Sequence, residues 1–356
     1  MFHSTDIEAG GDAREAAQLS GLRYVSDDAP GLRRKRAGKG FAYLQPDGAR
    51  ISERQVIARL RSLAIPPAWT DVWICRFDNG HIQATGRDAR ERKQYRYHPM
   101  FREMREGVKY EHLLAFAGAL PTIRMKVAEH MILRGLPREK VLATVVHLLE
   151  ATLIRIGNDD YARHNKSYGL TTLKNRHVVV EGAEVRFRFV GKSGKQWSLK
   201  FRDRRIAKII KACQELPGQD LLQYLDEQGD LRAIASSDVN AYLREATGQD
   251  ITAKDFRTWA GTVLAAMALN ELERFETAAE AKRNLKAAIE CVSARLGNTP
   301  SICRRCYIHP EVLNAYLEGA LRLEIEAEVA REPDGEPPRL LPQETALLAM
   351  LRARLK

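Results

Sequence analysis

The stretch RHVVVEGAEVRFRFVGKSGKQWSLKF, residues 176–201, has a strand pattern within a chain whose periodicity is otherwise helical from about residue 101 onward. Apolar residues alternate with polar ones on both sides of the loop GKSGK: Val185, Phe187 and Phe189 before it, and Trp197, Leu199 and Phe201 after it. A period of two places each set on one face of a strand. The stretch predicts a sheet with one buried face, whose connecting loop projects Lys192 and Lys195.

Helical patterns flank this sheet on both sides. Pro137 stands at a favourable position to begin a helix, and apolar residues then recur at helical spacing. Gly157–Asn158 is expected to end that helix and to leave Arg155 on its last turn. Residues 203 to about 330 again have helical periodicity, and prolines separate them from a last amphipathic helix.

The first hundred residues instead consist of short apolar stretches joined by turn signals. In GLRRKRAGKGFAYLQPDGARI, residues 31–51, the sequence Pro46-Asp47-Gly48 predicts a hairpin turn. In DVWICRFDNGHIQATG, residues 71–86, Asp78-Asn79-Gly80 predicts another. A helix is expected between the two, over Glu53–Leu63. This part of the chain therefore predicts a small α+β domain.

The whole chain is thus predicted to be α+β, with a small N-terminal β-sheet/helix domain and a larger, mainly α-helical domain. The expected divisions are a flexible tail (1–20), an N-terminal α+β domain (21–104), the larger domain (105–330) and a C-terminal extension with a helix (331–356).

Charge and composition narrow the class of partner. Lys and Arg outnumber Asp and Glu by 57 to 46 in 356 residues, which gives a net charge of +11 and a pI near 9.5. Such an excess favours a polyanion, usually nucleic acid. The first twenty residues lack a secretory signal pattern, and no apolar run predicts a membrane span. Free thiols in a reducing cytoplasm fit the odd, scattered cysteines best: Cys75, Cys213, Cys291, Cys303 and Cys306.

The segment LGNTPSICRRCYIHP, residues 296–310, contains a CxxC at Cys303 and Cys306. A structural zinc site needs four ligands, and the chain has no second cysteine pair. A thioredoxin-like redox role requires a βαβ setting, whereas the surroundings here are helical. We therefore interpret the pair as incidental thiols. The chain also lacks a Walker motif and a two-metal carboxylate set, so neither ATP nor a metal cofactor is implied.

An ordered set of five residues suits attack of a tyrosine oxygen on a phosphodiester. Two guanidiniums can hold the non-bridging oxygens as negative charge develops, and a neutral amide can add a hydrogen bond. A lysine on a hairpin can protonate the departing 5′ oxygen, and a tyrosine can store the bond energy as an ester. The residues that fit these roles are Arg155, Arg257, Asn298, Lys192 and Tyr307.

The region from about Gly31 to Ala320 resembles the poxvirus-type and bacterial type IB DNA topoisomerases. The matching stretches are RKQYRYH, LIRIGNDDYARHNKSYGLTTL, FRFVGKSGKQ, DFRTWAGT and LGNTPSICRRCYIHP. The resemblance implies that the larger domain has the tyrosine recombinase/type IB topoisomerase fold. It also implies that Arg155, Lys192 and Arg257 are catalytic and that Tyr307 is the nucleophile. Asn298 falls where many members of the family have histidine.

The same resemblance implies a set of DNA-contacting positions, namely Gln94, Tyr95, Tyr97, Tyr161 and Lys254. Interleaved aromatic and basic residues in RERKQYRYH fit contacts to bases and backbone, although a solvated basic strand would have the same composition. The expected partner is double-stranded DNA, held by a monomeric clamp whose two domains join near Arg102 to Gly107. A nucleoid-associated, cytoplasmic location would follow.

The resulting hypothesis is a type IB DNA topoisomerase that relaxes supercoils through a 3′-phosphotyrosyl intermediate, strand rotation and religation, without ATP or metal. A tyrosine recombinase would share this chemistry, but it usually begins with a helical core-binding domain, and Lys254 stands where recombinases usually have histidine. A non-catalytic basic DNA-binding protein would explain the charge but not the ordered set of five residues.

Overall fold

The computed structural model describes residues 13–89, 91–272, 275–323, 325 and 339–355. The chain mixes helices with antiparallel sheets and divides into two compact units between Glu111 and His112. The predicted boundary at residues 104 and 105 lies a few residues earlier. Among the described helices, none combines the length and the apolar character needed to cross a membrane.

The N-terminal unit is built on a five-stranded antiparallel sheet with the order β2-β1-β3-β4-β5. Its strands are β1 (Leu32–Ala37), β2 (Gly40–Leu44), β3 (Thr70–Ile74), β4 (Ile82–Arg87) and β5 (Lys93–Tyr97). Helix α1 (Arg54–Ser62) packs on the sheet through Leu60, which is buried with Leu32, Val72 and Ile74. Strand β5 lies at the edge of the sheet and pairs only with β4 among the described strands.

One expectation for this unit requires correction, and one of its turns was not predicted. The predicted flexible tail ended at residue 20, but residues 13–19 are helical, and Ala16, Ala17 and Leu22 are buried in a cluster with Phe101. The predicted Pro46-Asp47-Gly48 turn is present, since Gly48 N bonds to Gln45 O at 2.9 Å and Gln45 N bonds to Ala49 O at 2.8 Å. A further tight turn that was not predicted joins β1 to β2 at Gly38-Lys39, where Ala37 pairs directly with Gly40 and Gly38 takes a φ of 56°. Residues 1–12 of the predicted tail lie outside the described residues.

The C-terminal unit begins within helix α2 (Pro99–Met131) and continues with α3 (Arg138–Thr152) and α4 (Asp159–Asn165). Helix α3 ends at Thr152 because Leu153 adopts a left-handed conformation with φ 57°, while its N–H still bonds to Leu149. Arg155 therefore lies beyond the helix in an irregular segment, and the prediction that it occupies the last turn is wrong.

The strand pattern at residues 176–201 is confirmed. Strands β6 (Val178–Glu181), β7 (Glu184–Val190) and β8 (Gln196–Arg202) form an antiparallel sheet in that order, with Val185, Phe187 and Phe189 buried. Helix α5 (Arg204–Gln214) follows and packs on β6 and β7. Strands β9 (Gln223–Leu225) and β10 (Leu231–Ala233) pair as a small separate hairpin.

The remaining elements are helices arranged around α7 (Ala253–Asn270). Helices α3, α6 (Ser236–Thr247), α8 (Ala278–Leu296), α10 (Pro310–Leu317) and α11 (Pro342–Arg354) all pack against it. The short helix α9 (Pro300–Cys306) packs on α8. Helix α7 is therefore the central support of the C-terminal unit.

Candidate active site

The backbone on both sides of Arg155 is fixed by the loop that follows α4. Leu170 donates its N–H to Arg155 O at 2.9 Å, and Thr171 donates to Ile156 O at 2.7 Å. Gly169 permits this approach, because a Cβ at that position would lie 2.5 Å from Arg155 O. The Arg155 side chain thus projects from a segment that is anchored by hydrogen bonds although it is not helical.

Arg257 lies in the second turn of α7 and is only 3% exposed. Its guanidinium donates to the main-chain oxygen of Leu153 and, at 2.6 Å, to that of Leu296. These oxygens belong to the ends of α3 and α8, where carbonyls lack helical partners. Arg257 therefore joins three helices at one point.

Asn298 brings the two arginines together. It follows Gly297, the left-handed cap that ends α8. Its Oδ1 accepts hydrogen bonds from Nη2 of Arg155 and, at 3.0 Å, from Nη2 of Arg257. A single neutral oxygen thus lies between two guanidinium groups.

Tyr307 is the residue that ends α9, and its backbone rests on α7. A Cβ at Gly261 would lie 2.5 Å from Tyr307 O and 3.2 Å from Tyr307 Cβ, so only a glycine at position 261 allows this approach. Thr262 Oγ1 donates to the same oxygen at 3.4 Å. The tyrosine ring lies 5.3 Å from the guanidinium carbon of Arg257. The predicted nucleophile is therefore held by the helix that carries the predicted second arginine.

The electrostatics of this cluster favour an anion. Burial lowers the pKa of Arg257 to about 10, and the neighbouring Arg155 charge adds to the decrease. Burial also lowers the pKa of Arg155, while Tyr307 acts in the opposite direction on both groups. In the described part of the chain, Arg155 Nη1 and Arg257 Nε are buried without a hydrogen-bond partner. An anion that accepted hydrogen bonds from these donors would supply the missing partners and would offset the repulsion between the two arginines.

Lys192 lies on the turn between β7 and β8, where Gly191 N bonds to Lys195 O at 2.7 Å. Its side chain is exposed and lines a cavity of about 190 Å³ together with Arg155 and Tyr168. Lys195 is also exposed, and its side chain lies beside the residue that precedes Asn298, since its Cδ would lie 3.4 Å from a Cβ at Gly297. The structure therefore brings Arg155, Arg257, Asn298 and Tyr307 together and places Lys192 at the adjoining cavity.

The CxxC lies directly beside this cluster. Cys303 is buried, and burial raises the pKa of its thiol, whereas Cys306 is partly exposed. Both are free thiols. Among the described residues, no group of three or more His, Cys, Asp or Glu side chains could hold a metal ion.

Sequence reasoning missed three residues that shape the site. Gly261 and Gly297 admit close contacts that a Cβ would prevent, and Trp197 packs against Gly297. The available signals were a glycine inside a helical pattern and one that immediately precedes a predicted site residue. Either signal alone is common in helices and at helix ends.

Comparison with known proteins identifies the family. Residues 98–332 match the model of the eukaryotic DNA topoisomerase I catalytic core, and residues 40–88 match that of the bacterial DNA topoisomerase IB N-terminal domain. The first match covers about two thirds of the chain and contains the whole cluster around Tyr307. The chain belongs to the type IB DNA topoisomerase family.

Viral relatives agree with this family. The chain is 30% identical over 293 residues to DNA topoisomerase 1B of Acanthamoeba polyphaga mimivirus, covering 80% of this chain and 87% of the relative. It is 23% identical over 231 residues to DNA topoisomerase 1B of Vaccinia virus, covering 64% and 70%. DNA topoisomerase 1 of Rabbit fibroma virus is 23% identical over 265 residues, covering 71% and 79%.

The positions predicted to contact DNA in this type IB topoisomerase are distributed over both units. On β5, Tyr95 and Tyr97 share one face, with their rings stacked at 5.8 Å, and Tyr95 is 42% exposed. Gln94 lies on the opposite face and donates to Asp88 at 3.1 Å. Lys254 is exposed on the first turn of α7. The side chain of Tyr161, in α4, lies outside the described part of the structure.

Proposed function

We propose that this chain relaxes supercoiled duplex DNA by cutting one strand through a 3′-phosphotyrosyl intermediate at Tyr307, allowing rotation, and resealing the strand. The main support is the convergence of two guanidiniums on Tyr307, that of Arg257 buried and that of Arg155 partly buried, each with a buried donor that has no partner in the described residues. A phosphodiester has two non-bridging oxygens that can accept from such donors.

In the proposed step, the Tyr307 oxygen attacks the phosphorus and releases its proton to solvent. The bond from phosphorus to the 5′ oxygen breaks, and the leaving oxygen takes a proton from Lys192. The products are a 3′-phosphotyrosyl ester and a free 5′-hydroxyl strand. Religation is the reverse reaction. Because the ester conserves the bond energy, the cycle needs neither ATP nor a metal.

Arg155 and Arg257 are proposed to stabilise the negative charge that develops on the non-bridging oxygens. Arg257 is held by two main-chain oxygens before DNA arrives, so little reorganisation accompanies the reaction. In the free protein the Asn298 oxygen accepts from both arginines. When phosphate oxygens take over those hydrogen bonds, a rotation of the amide turns its NH₂ group toward the phosphate.

The remaining assignments are part of the same proposal. Lys192 is favoured over Lys195 as the proton donor because it shares a cavity with Arg155. Gln94, Tyr95, Tyr97, Tyr161 and Lys254 are proposed to contact DNA. The two units, with domain limits near those predicted from the sequence, are proposed to act as a monomeric clamp on double-stranded DNA in the nucleoid.

The primary test is relaxation of a supercoiled plasmid in excess chelator without nucleotide. Both positively and negatively supercoiled plasmids should relax. A strict requirement for ATP or magnesium would contradict the mechanism, and strand exchange between two duplexes would favour a recombinase.

The nucleophile is tested by Tyr307→Phe, which removes only the attacking oxygen. DNA binding should remain near normal, and the covalent protein–DNA adduct should disappear. Tyr316→Phe is a matched control, because it removes a hydroxyl of α10 that hydrogen-bonds to Asn284. An adduct that persists in Tyr307→Phe would place the nucleophile on another residue.

A further inference from the structure

Trp197 occupies a position that connects the Lys192 hairpin to the rest of the site. It lies on β8 directly opposite Phe189 of β7, and the two rings stack with centroids 5.9 Å apart and planes 2° from parallel. Phe189 is buried, whereas Trp197 is half-buried. The indole is therefore supported on one side by the core face of the hairpin.

The indole also lies against two glycines. A Cβ at Gly191, the residue before Lys192, would lie 2.7 Å from Cδ1 and Nε1 of Trp197. A Cβ at Gly297, the residue before Asn298, would lie 2.7 Å from its Cζ2. Real side chains essentially never approach so closely, so both positions must lack a Cβ for the ring to fit. Trp197 thus fills the space between the start of the lysine turn and the loop that carries Asn298.

The tip of the turn lies at the surface. Residues 192 to 196 are all exposed, and the main-chain hydrogen bonds from Gly191 N to Lys195 O and from Gly194 N to Gly191 O close the turn on itself. Ser193 has a φ of 64°, an uncommon conformation for a residue other than glycine. Nearer the core, Tyr168 N bonds to Val190 O at 2.8 Å and so fixes the base of the turn rather than its tip.

We infer that Trp197 is a positioning residue for the leaving-group proton donor, holding the Lys192 turn at a fixed distance from Asn298 and the arginine pair. Trp197 does not touch the reacting atoms in this role. General acid catalysis requires a donor within hydrogen-bond reach of the oxygen that it protonates, and an error of about 1 Å can cost a factor of about 100 in rate. The assignment rests on the proposed function, since it takes Lys192 as the acid.

The test compares cleavage of an ordinary strand with cleavage of a strand whose bridging 5′ oxygen is replaced by sulfur. A thiolate leaves without protonation, so a defect in proton donation disappears on the sulfur strand, whereas a defect in phosphate binding persists. Single-turnover cleavage by Trp197→Ala should be about tenfold to hundredfold slower on ordinary DNA. It should recover to near the wild-type rate on the sulfur strand, while the affinity for DNA should remain unchanged.

Four further variants accompany this one. Lys192→Ala should show the same rescue, and Arg155→Ala should show little. Leu199→Ala removes an apolar side chain from the same face of β8, two residues farther from the turn, and should cleave both strands at close to the wild-type rate. Trp197→Phe keeps a ring opposite Phe189 and should retain most of the activity.

Gly191→Ala provides a second route if Trp197→Ala folds poorly. Its φ of −95° accommodates alanine, so the new methyl group acts mainly by displacing the indole. It should cause a sulfur-rescued defect in the wild-type background and add little in the Trp197→Ala background, because the two changes act through one contact.

The outcomes separate the two assignments. Rescue in Lys192→Ala without rescue in Trp197→Ala and Gly191→Ala would overturn the positioning role and leave the mechanism intact. Failure of rescue in Lys192→Ala itself would overturn the proton-donor assignment in the proposed function and the role of Trp197 with it.

Discussion

Arg257 donates a hydrogen bond from Nη2 to Oδ1 of Asn298 at 3.0 Å, and Arg155 donates to the same oxygen. The amide oxygen therefore has the acceptor position that a phosphate oxygen would have in the proposed complex. Because the amide is neutral, it satisfies the guanidiniums without neutralising them. An anion can still displace it with a gain in Coulomb energy.

Asn298→Asp tests this relationship with an almost isosteric change. A carboxylate would pair with both guanidiniums and compete with the phosphate. We expect cleavage to be slower than in Asn298→Ala, while the melting temperature should exceed that of the alanine variant. Asn298→His should retain substantial cleavage because it can still donate. Single-turnover cleavage and thermal unfolding are the measurements, and an aspartate variant as active as the wild type would contradict the displacement.

Arg155→Ala and Arg257→Ala should each slow cleavage by about two orders of magnitude or more, on the scale of roughly 3 kcal/mol for a lost transition-state contact. Only Arg257→Ala should also lower the melting temperature clearly, because it removes the donors to Leu153 O and Leu296 O. Arg304→Ala, at an exposed position on α9, is the control for loss of one charge. A slowing of less than tenfold would mean that these arginines only position DNA.

Gly261→Ala should slow cleavage by tenfold or more, because the added methyl group displaces the backbone of Tyr307. The helix itself should tolerate the change, since alanine is favoured over glycine in helices by about 1 kcal/mol. Gly118→Ala in α2 is the matched control, because a Cβ there would meet nothing within 4 Å. Cleavage kinetics and DNA affinity, measured together, should show a loss in rate without a loss in binding.

Glu344 should be important for the stability of the C-terminal unit. It is 6% exposed, pairs with Arg124 at 2.9 Å and accepts from Trp259 Nε1 at 3.1 Å. Glu344→Ala should lower the free energy of unfolding by about 2 kcal/mol, the scale of a hydrogen bond to a charged group. Glu344→Gln should cost less, since the amide oxygen can still accept. Denaturant unfolding of both, beside the exposed-site control Arg352→Ala, would measure this.

His112 should make stability depend on pH. Its hydrogen bond to Asp255 at 3.3 Å raises its pKa above the ordinary value of 6.5. Because the folded state then binds the proton more tightly, the stabilisation is complete below pH 6.5 and disappears as the pH rises through the raised value. His112→Gln should therefore lower the melting temperature more at pH 5.5 than at pH 9. An equal effect at both values would exclude the titration as the cause.

Features that depend on periodicity could be predicted from the sequence, whereas features that depend on tertiary contacts could not. The alternation of apolar and polar residues identified the sheet at residues 176–201, because Phe187 and Phe189 lie on the one buried face of β7. The helix before Arg155 was predicted to extend too far, because a leucine gives no indication in the sequence that it will adopt the left-handed conformation seen at Leu153. Residues 13–19 were predicted to belong to a flexible tail, yet Ala17 is buried in a cluster with Phe101, which is distant in sequence.

The same limit applies to the candidate site. The five residues were recognisable by type and order. The support that Gly261 gives to Tyr307, and the packing of Trp197 between two glycines, arise only when distant segments meet. Neither contact leaves a pattern that could be read along the chain.

The contact between Gly261 and Tyr307 also has a mechanical consequence. In the proposed covalent complex, the tyrosine ester holds the 3′-phosphate end while the free 5′-hydroxyl end rotates about the uncut strand, so the enzyme resists the torque through Tyr307. The main chain of Tyr307 presses on α7 at Gly261, and Thr262 bonds to both Tyr307 O and His309 N. That torque is therefore transmitted to α7, close to Arg257, and not to a free loop. Torque on the DNA would load the phosphate and its binding arginine together, so the end held by Tyr307 would keep its position for rejoining.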